Sequence, residues 1–179
     1  NVRVPVANLV GEENKGWTYA KYLLGHERTN IARVGRSKAI LASLQAVAAK
    51  QPGNQGGALI EDVRFRDRIA KVELSLDALE MINLRVLTSQ STPGPEASIL
   101  KIKGSEIQQE RTELMMQALG IYGAANIHDG EFEADAFSDA MSADLINMTR
   151  RYFNFRKTTI YGGSTEVQKS IICRAILGL

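Results

Sequence analysis

A short segment near the end of the chain carries the residue types best suited to binding an anion or a polarised carbonyl group. The segment reads IYGGSTEVQ from Ile160 to Gln168 and leads into an apolar stretch. Two glycines followed by Ser164 and Thr165 favour a turn and a helix N-cap, which leaves backbone N–H groups without intrahelical acceptors. Such a helix end binds phosphate, carboxylate or a polarised carbonyl. The same residues also suit a turn and cap with no ligand, so this motif alone leaves both interpretations open.

The composition limits the classes of function. The chain has 179 residues, with 22 Lys and Arg against 20 Asp and Glu. This balance gives no strong attraction to nucleic acid or to an anionic membrane, and the length fits one domain with a sizeable core. No apolar run approaches the roughly 20 residues that span a bilayer. We therefore expect a soluble, cytoplasmic protein with no nucleic-acid partner and no membrane span.

Cysteine and histidine usage argues against disulfides and metal. Cys173 is the only cysteine, so no internal disulfide can form, which favours a reducing compartment. The two histidines, His26 and His128, are far apart in the sequence. A zinc site would have to be built mostly from carboxylates, and we expect no metal site.

The spacing of apolar residues predicts long amphipathic helices. The predicted helices are one from Glu13 to about Lys50, one from about Glu61 to Ser89, one carrying a stripe from Leu100 to Ile121, a short one from about Asp135 to Phe155, and a last one from near Thr165. Gly104 is predicted to mark a close contact between helices. The predicted fold class is all-α, an antiparallel four-helix bundle with a short extra C-terminal helix.

The order of these elements resembles the C-terminal domain of the acyl-CoA dehydrogenases over essentially the whole chain. The resemblance is carried by the turn at 160–168, by the closing RAILGL at 174–179 and by the opening NLVGEENKGW at 8–17. It implies that residues 1–12 end a preceding β-domain or linker and that residues 13–179 are the helical bundle of a longer flavoprotein. FAD would lie between domains and across a subunit interface, and this part alone is expected to be inactive.

The family's reaction removes the proton α to a thioester carbonyl while the β-hydride passes to flavin N5, giving a trans-2-enoyl-CoA. It needs a carboxylate base. The more common family position for that base falls on Gly162, which has no side chain. The other position precedes an arginine in the first helix, so the resemblance implies Glu27 as the base and Arg28 as a brace for the loop at Gly162 and Gly163. Judged from its neighbours alone, Glu27 also suits an exposed carboxylate paired along a helix.

The resemblance also implies flavin contacts in the turn. The Ser164 hydroxyl and the amide of Glu166 would approach FAD, with Gly162 and Gly163 forming the turn and Tyr161 lining the site. Glu166 stands where the family often has glutamine, and an ionised carboxylate cannot donate the same hydrogen bonds. A helix-capping role for Glu166 therefore stays open beside the cofactor role.

One family motif is missing. Most members carry Arg-x-x-Phe-Gly between the first two helices, and its arginine reaches the FAD diphosphate of the neighbouring subunit. Here the segment at 50–57 reads KQPGNQGG. Two interpretations follow: a divergent dehydrogenase of acyl-CoA substrates that passes electrons to electron-transfer flavoprotein, or a partner subunit without chemistry of its own that completes the flavin site of a hetero-oligomer. An oxidase or desulfinase on the same fold is a third.

Overall fold

The computed structural model describes residues 1–54, 56–89, 94–124 and 148–178. Over these ranges it is helical and contains no β-strand, which confirms the predicted all-α class. The α-helices are α1 (Gly16–Ala32), α2 (Val34–Ala48), α3 (Val63–Thr88), α4 (Glu96–Leu119), α5 (Met148–Phe155) and α6 (Thr165–Leu177). Short 3-10 turns lie at Val6–Asn8, Leu59–Glu61, Gly120–Ala124 and Arg156–Thr159.

The first predicted helix is wrong in one respect, because it breaks into α1 and α2 at Arg33. The backbone of Arg33 is left-handed, with φ 49° and ψ 39°, a conformation that is uncommon for residues other than glycine. The apolar spacing continues through this position, so the pattern predicted one long helix. Trp17, which the same pattern assigned to the apolar face, is 72% exposed.

The second predicted helix matches α3. Asp62 caps it, its carboxylate accepting hydrogen bonds from the backbone N–H groups of Arg64 at 2.9 Å and Phe65 at 3.1 Å. Its apolar stripe is buried against the rest of the bundle and consists of Phe65, Ile69, Val72, Leu76 and Leu79. The core therefore forms where the helical period predicts it.

The central helix is α4, which contacts every other α-helix described above. A Cβ atom placed on Gly104 would lie 2.8 Å from the Ala32 Cα atom, so α4 and the end of α1 approach at backbone distance. The predicted close contact at Gly104 is confirmed. The predicted stripe extends too far, however, because α4 ends at Leu119 and Ile121 is 83% exposed.

Helix α4 carries two kinds of buried side chain, apolar and polar. Its apolar residues join the core formed with α2 and α3; they include Leu100, Ile107, Leu114, Met115 and Leu119. Its buried polar residues are Ser98, Lys101, Ser105, Gln108, Arg111 and Thr112. Members of this second group also make hydrogen bonds to α1, α2 and the segment at 152–158.

The predicted short helix is only partly described. Residues 148–155 form α5, whereas positions 135–147, together with His128, lie outside the described residues. Residues 91–95 read STPGP, a composition typical of a turn, and positions 91–93 also lie outside the described residues. The last helix begins at Thr165, as predicted, and its end is followed by Gly178 in a left-handed conformation with φ 70°, a common way for a helix to stop.

In the part of the chain that the structure describes, no helix combines the length and the apolar character that crossing a bilayer requires.

Candidate functional site

The Gly162 turn packs directly against α1. Gly162 has a φ of +68°, and a Cβ atom placed on it would lie 2.9 Å from the Cδ1 atom of Ile31. Ile31 follows Glu27 by four residues in α1, so the two side chains lie on the same face of the helix. The fold thus brings the predicted base to the same region as the turn. The Glu27 side chain is exposed in this chain.

The turn is also held from α6. The Gln168 side-chain amide donates to the Gly162 carbonyl at 3.3 Å, and Gln168 is only 1% exposed. Gly163 has a φ of +90°, and a Cβ atom there would collide with the amide nitrogen of Gln168. Both glycines therefore meet a steric requirement of the backbone path.

The first turn of α6 shows how far the predicted flavin contacts fit. Ser164 is the N-cap, its hydroxyl accepting from the Val167 N–H at 3.3 Å. The pKa of Glu166 is lowered by a hydrogen bond from its own backbone N–H and then by the Ser164 hydroxyl. Glu166 thus stays ionised and cannot donate to a cofactor carbonyl. Tyr161, which is predicted to line the site, is 40% exposed.

Polar side chains of α4 fix the segment that leads into the turn. The Ser105 hydroxyl donates to the Thr158 carbonyl at 3.0 Å. The Gln109 amide donates to the Arg156 carbonyl and to the Thr158 hydroxyl, both at 3.2 Å. Thr158 is 1% exposed. These hydrogen bonds set the position from which Tyr161 and the two glycines follow.

Another polar residue of α4, Gln108, holds the end of α1 by a hydrogen bond. The Gln108 amide donates to the Ile31 carbonyl at 3.1 Å and to the Gly104 carbonyl at 2.9 Å. The supporting role of these residues was not predicted. Their signal is a polar stripe at helical spacing within an otherwise apolar segment, namely Lys101, Ser105, Gln108 and Thr112.

Lys101 is the buried cation of this stripe. Its side chain is fully buried, and its ammonium group has no hydrogen-bond partner. Burial lowers the pKa of Lys101, and the negative charge of Glu166 acts in the opposite direction. Lys101 therefore places its amino group in the interior of the bundle, near the first turn of α6.

Arg28 is described only through its backbone, which places it in α1 beside Glu27. Its predicted role as a brace for the loop at Gly162 and Gly163 stays a prediction.

A separate cleft lies where the Arg-x-x-Phe-Gly motif is missing. It has a volume of about 1130 Å³ and is lined by the loop after α2, the start of α3 and the end of α4. Its cationic side chains are Arg64 and Arg68. Arg68 is already bonded to the Glu110 carboxylate at 2.7 Å and to Gln117. Of the two cationic side chains in the cleft, the charge of Arg68 is therefore already neutralised by Glu110, which leaves Arg64 for an anionic ligand.

No cluster of three or more His, Cys, Asp or Glu side chains suited to a metal ion occurs among residues 1–54, 56–89, 94–124 and 148–178.

Comparison with known proteins gives a consistent result. Residues 14–177 match the family model "Acyl-CoA dehydrogenase, C-terminal domain". Acyl-CoA dehydrogenase FadE26 of Mycobacterium tuberculosis is 32% identical over 186 aligned residues, which cover 100% of this chain and 44% of that protein. The crystal structure of the ChsE4-ChsE5 complex from Mycobacterium tuberculosis aligns with a TM-score of 0.74 and 31% identity, covering 98% of this chain and 44% of that one.

A further relative is the caffeyl-CoA reductase-Etf complex subunit CarC of Acetobacterium woodii. It is 26% identical over 99% of this chain and 43% of its own length. The chain thus spans less than half the length of each of these relatives.

Proposed function

The chain belongs to the acyl-CoA dehydrogenase family through its C-terminal domain, and from that premise we propose that the full-length protein is an FAD-dependent acyl-CoA dehydrogenase whose base is Glu27. The substrate is an acyl-CoA thioester, and the product is the trans-2-enoyl-CoA. Glu27 and the turn at Tyr161, Gly162 and Gly163 form the part of the active site that this domain contributes.

The contact between Ile31 and Gly162 is the observation that carries this proposal. It joins the helix face of Glu27 to the turn that the family places at the reacting carbons, although the two segments are 131 positions apart. The position that carries a base in most of the family disfavours a side chain here, because Gly162 is left-handed and a Cβ atom placed on it would lie 2.9 Å from the Cδ1 atom of Ile31. This supports Glu27 as the carboxylate that takes the α-proton.

This chain supplies the proton acceptor and the walls around it. The carboxylate of Glu27 takes the proton from the α-carbon and holds it on one oxygen. Ile31 and the glycine backbone exclude water from one side of the reacting carbons. When bound, FAD supplies the acceptor for the β-hydride. The backbone of Gly162 and Gly163, with Tyr161, would hold the flavin side of the site.

The test is flavin reduction in the full-length protein. Addition of an acyl-CoA to the anaerobic enzyme should bleach the flavin absorbance, and Glu27→Gln should slow this reduction by about 100-fold or more. Glu13→Gln is the matched control, since Glu13 is an exposed carboxylate ahead of the same helix. Unchanged reduction in Glu27→Gln would refute the assignment of the base.

A second candidate function is a partner subunit that completes a flavin site shared with another chain. The observation that favours it is the cleft at the missing motif, where Glu110 already neutralises Arg68. The solved relative named above is itself a complex of two chains, ChsE4 and ChsE5. Purification of the full-length protein alone and together with the product of a neighbouring gene separates the two functions. Stoichiometric flavin in the protein alone would exclude the partner-subunit role.

The electron acceptor that we propose is an electron-transfer flavoprotein. The name of CarC, which places that relative in a complex with an Etf, supports this class of acceptor. Reduced full-length protein should pass its electrons to electron-transfer flavoprotein faster than to oxygen. Rapid formation of hydrogen peroxide in air would favour an oxidase instead.

A further inference from the structure

The start of α2, directly after the break at Arg33, has the features of an anion site. Arg33 caps α2 without any side-chain hydrogen bond to the first-turn N–H groups. The first N–H groups of a helix have no intrahelical acceptors, and they carry the positive end of the helix dipole. Arg33 and Arg36 add two exposed guanidinium groups to this end of α2.

A buried arginine from α4 lies against the same turn. Arg111 is fully buried, and its Nη1 atom donates to the Arg36 carbonyl at 3.3 Å. The Nε and Nη2 atoms of Arg111 have no hydrogen-bond partner. These two nitrogens form the edge of the guanidinium that presents parallel N–H groups to a carboxylate or phosphate.

A second buried group without a partner lies in the first turn of α2. Ser37 is 1% exposed, and its hydroxyl makes no hydrogen bond. Native proteins satisfy nearly all buried polar groups, so unpaired donors at neighbouring positions require an acceptor. Ser37 directly follows Arg36, whose carbonyl accepts from Arg111 at 3.3 Å, so both unpaired groups lie at the first turn of α2.

The charges around Arg111 specify the sign of that partner. Burial first, and then the positive charges of Arg36, Arg33 and Arg151, together lower the pKa of Arg111 to about 10. Among the described residues, no salt bridge connects Arg111 to a carboxylate. The guanidinium carbon of Arg111 lies 5.5 Å from the centre of the Phe155 ring. A buried cation without an anionic partner is still unfavourable, and an oxyanion lowers that cost.

We propose that the first turn of α2, with Arg33, Arg36, Ser37 and Arg111, binds one oxyanion of the carboxylate or phosphate type. Arg33 follows Glu27 by six positions, which is about 9 Å along the helix axis. If the proposed function holds, an anionic group of the acyl-CoA itself is within reach of this site, either a carboxylate on the acyl chain or a phosphate of the coenzyme. Binding of a free oxyanion does not depend on the proposed function.

The first experiment measures the thermal stability of the full-length protein with inorganic phosphate as the probe, against sodium chloride at equal ionic strength. At several times its Kd, phosphate should raise the Tm by about 2 °C. The rise should disappear in Arg111→Met. It should persist in Arg85→Met, which removes an exposed arginine in the last turn of α3. An equal rise in Arg111→Met, or no rise in the unsubstituted protein, would overturn the proposal.

Arg33→Gly keeps the test decisive if Arg111→Met does not fold. Glycine accepts the left-handed backbone of position 33 without strain, so this variant should fold while it loses one cation of the site. Its Kd for phosphate should be weaker by about fivefold or more, with the Tm in chloride unchanged or higher. An unaltered Kd in Arg33→Gly and in Ser37→Ala would overturn the site.

The source of the oxyanion is then resolved with substrates. Two acyl-CoAs of equal chain length, one ending in a carboxylate and one in a methyl group, are compared in Arg33→Gly. A selective loss of kcat/KM for the carboxylate-ended acyl-CoA assigns the site to the acyl chain. An equal loss for both, reproduced when coenzyme A is replaced by its dephospho form, assigns it to the coenzyme. No loss in either substrate would exclude acyl-CoA as the source. Flavin bleaching in the same samples shows separately whether the proposed reaction occurs.

Discussion

The apolar and polar sides of α4 have different structural roles in this domain. Leu100, Ile107 and Leu114 join the core shared with α2 and α3. Ser105, Gln108 and Gln109 instead hold the end of α1 and the segment before the Gly162 turn by hydrogen bonds. Apolar packing is not directional, whereas a hydrogen bond fixes an atom to within a few tenths of an ångström. The apolar side therefore supplies stability, and the polar side sets the position of the candidate site.

Leu114→Ala should have the largest effect on stability. Leu114 is fully buried, and truncation of a buried leucine leaves a cavity that costs about 3 kcal/mol in the free energy of unfolding. Chemical denaturation of the full-length protein measures this loss. Flavin reduction per folded molecule should not change. A matching loss of rate at full folding would show that the two sides of α4 are not separable.

Gly104→Ala should affect both properties, because Gly104 lies where α4 meets α1. The added methyl group would come within 2.8 Å of the Ala32 Cα atom, so α1 must shift. We expect a loss of about 1–2 kcal/mol, after the gain in helix propensity is subtracted. The shift also moves Glu27, so flavin reduction should slow in the folded variant. Denaturation together with single-turnover kinetics measures both, and an increase in stability would contradict the observed contact.

The elements of this fold differ in how far the sequence predicts them. The extent of α3 follows from its apolar period, and the start of α6 follows from Ser164 after two glycines. These features depend on neighbours in the sequence. The contact at Gly104 was predictable because a glycine inside a helical stripe marks a close approach.

Other features depend on contacts that no local pattern contains. The break at Arg33 was missed because arginine is not a typical left-handed residue and the apolar spacing continues across it. The proximity of Ile31 to Gly162 arises from the packing of α1 and α4 and could not be read from either segment. For the same reason, the family resemblance supplied the role of Glu27, and the polar partners on α4 were missed.

Gln109→Leu should have a small effect on stability and a larger one on the site. The substitution removes the donor to Arg156 and Thr158 and should cost about 1 kcal/mol. Displacement of the segment before the turn should lower the rate of flavin reduction by about tenfold. Gln45→Leu is the matched control. The Gln45 amide donates to the Glu73 carboxylate at 2.6 Å, and this hydrogen bond joins α2 to α3 rather than holding the turn. Equal rates in the two variants would contradict a positioning role for Gln109.

The smallest expected effect concerns Glu166 and pH. Because its folded pKa lies below its ordinary value, ionised Glu166 stabilises the folded state at pH values above about 4.5, its ordinary pKa. This contribution is lost as the pH falls through the lower folded pKa. The Tm difference between the unsubstituted protein and Glu166→Gln should therefore shrink in acid. A difference that grows in acid would contradict the lowered pKa.

Exchange of the substrate α-proton with solvent tests the central claim most directly. Full-length protein is incubated with an acyl-CoA in deuterium oxide, and incorporation at the α-carbon is followed by mass spectrometry. We predict rapid incorporation in the unsubstituted protein and in Glu13→Gln, and a loss of about 100-fold or more in Glu27→Gln. Exchange at the unsubstituted rate in Glu27→Gln would show that another group removes the proton.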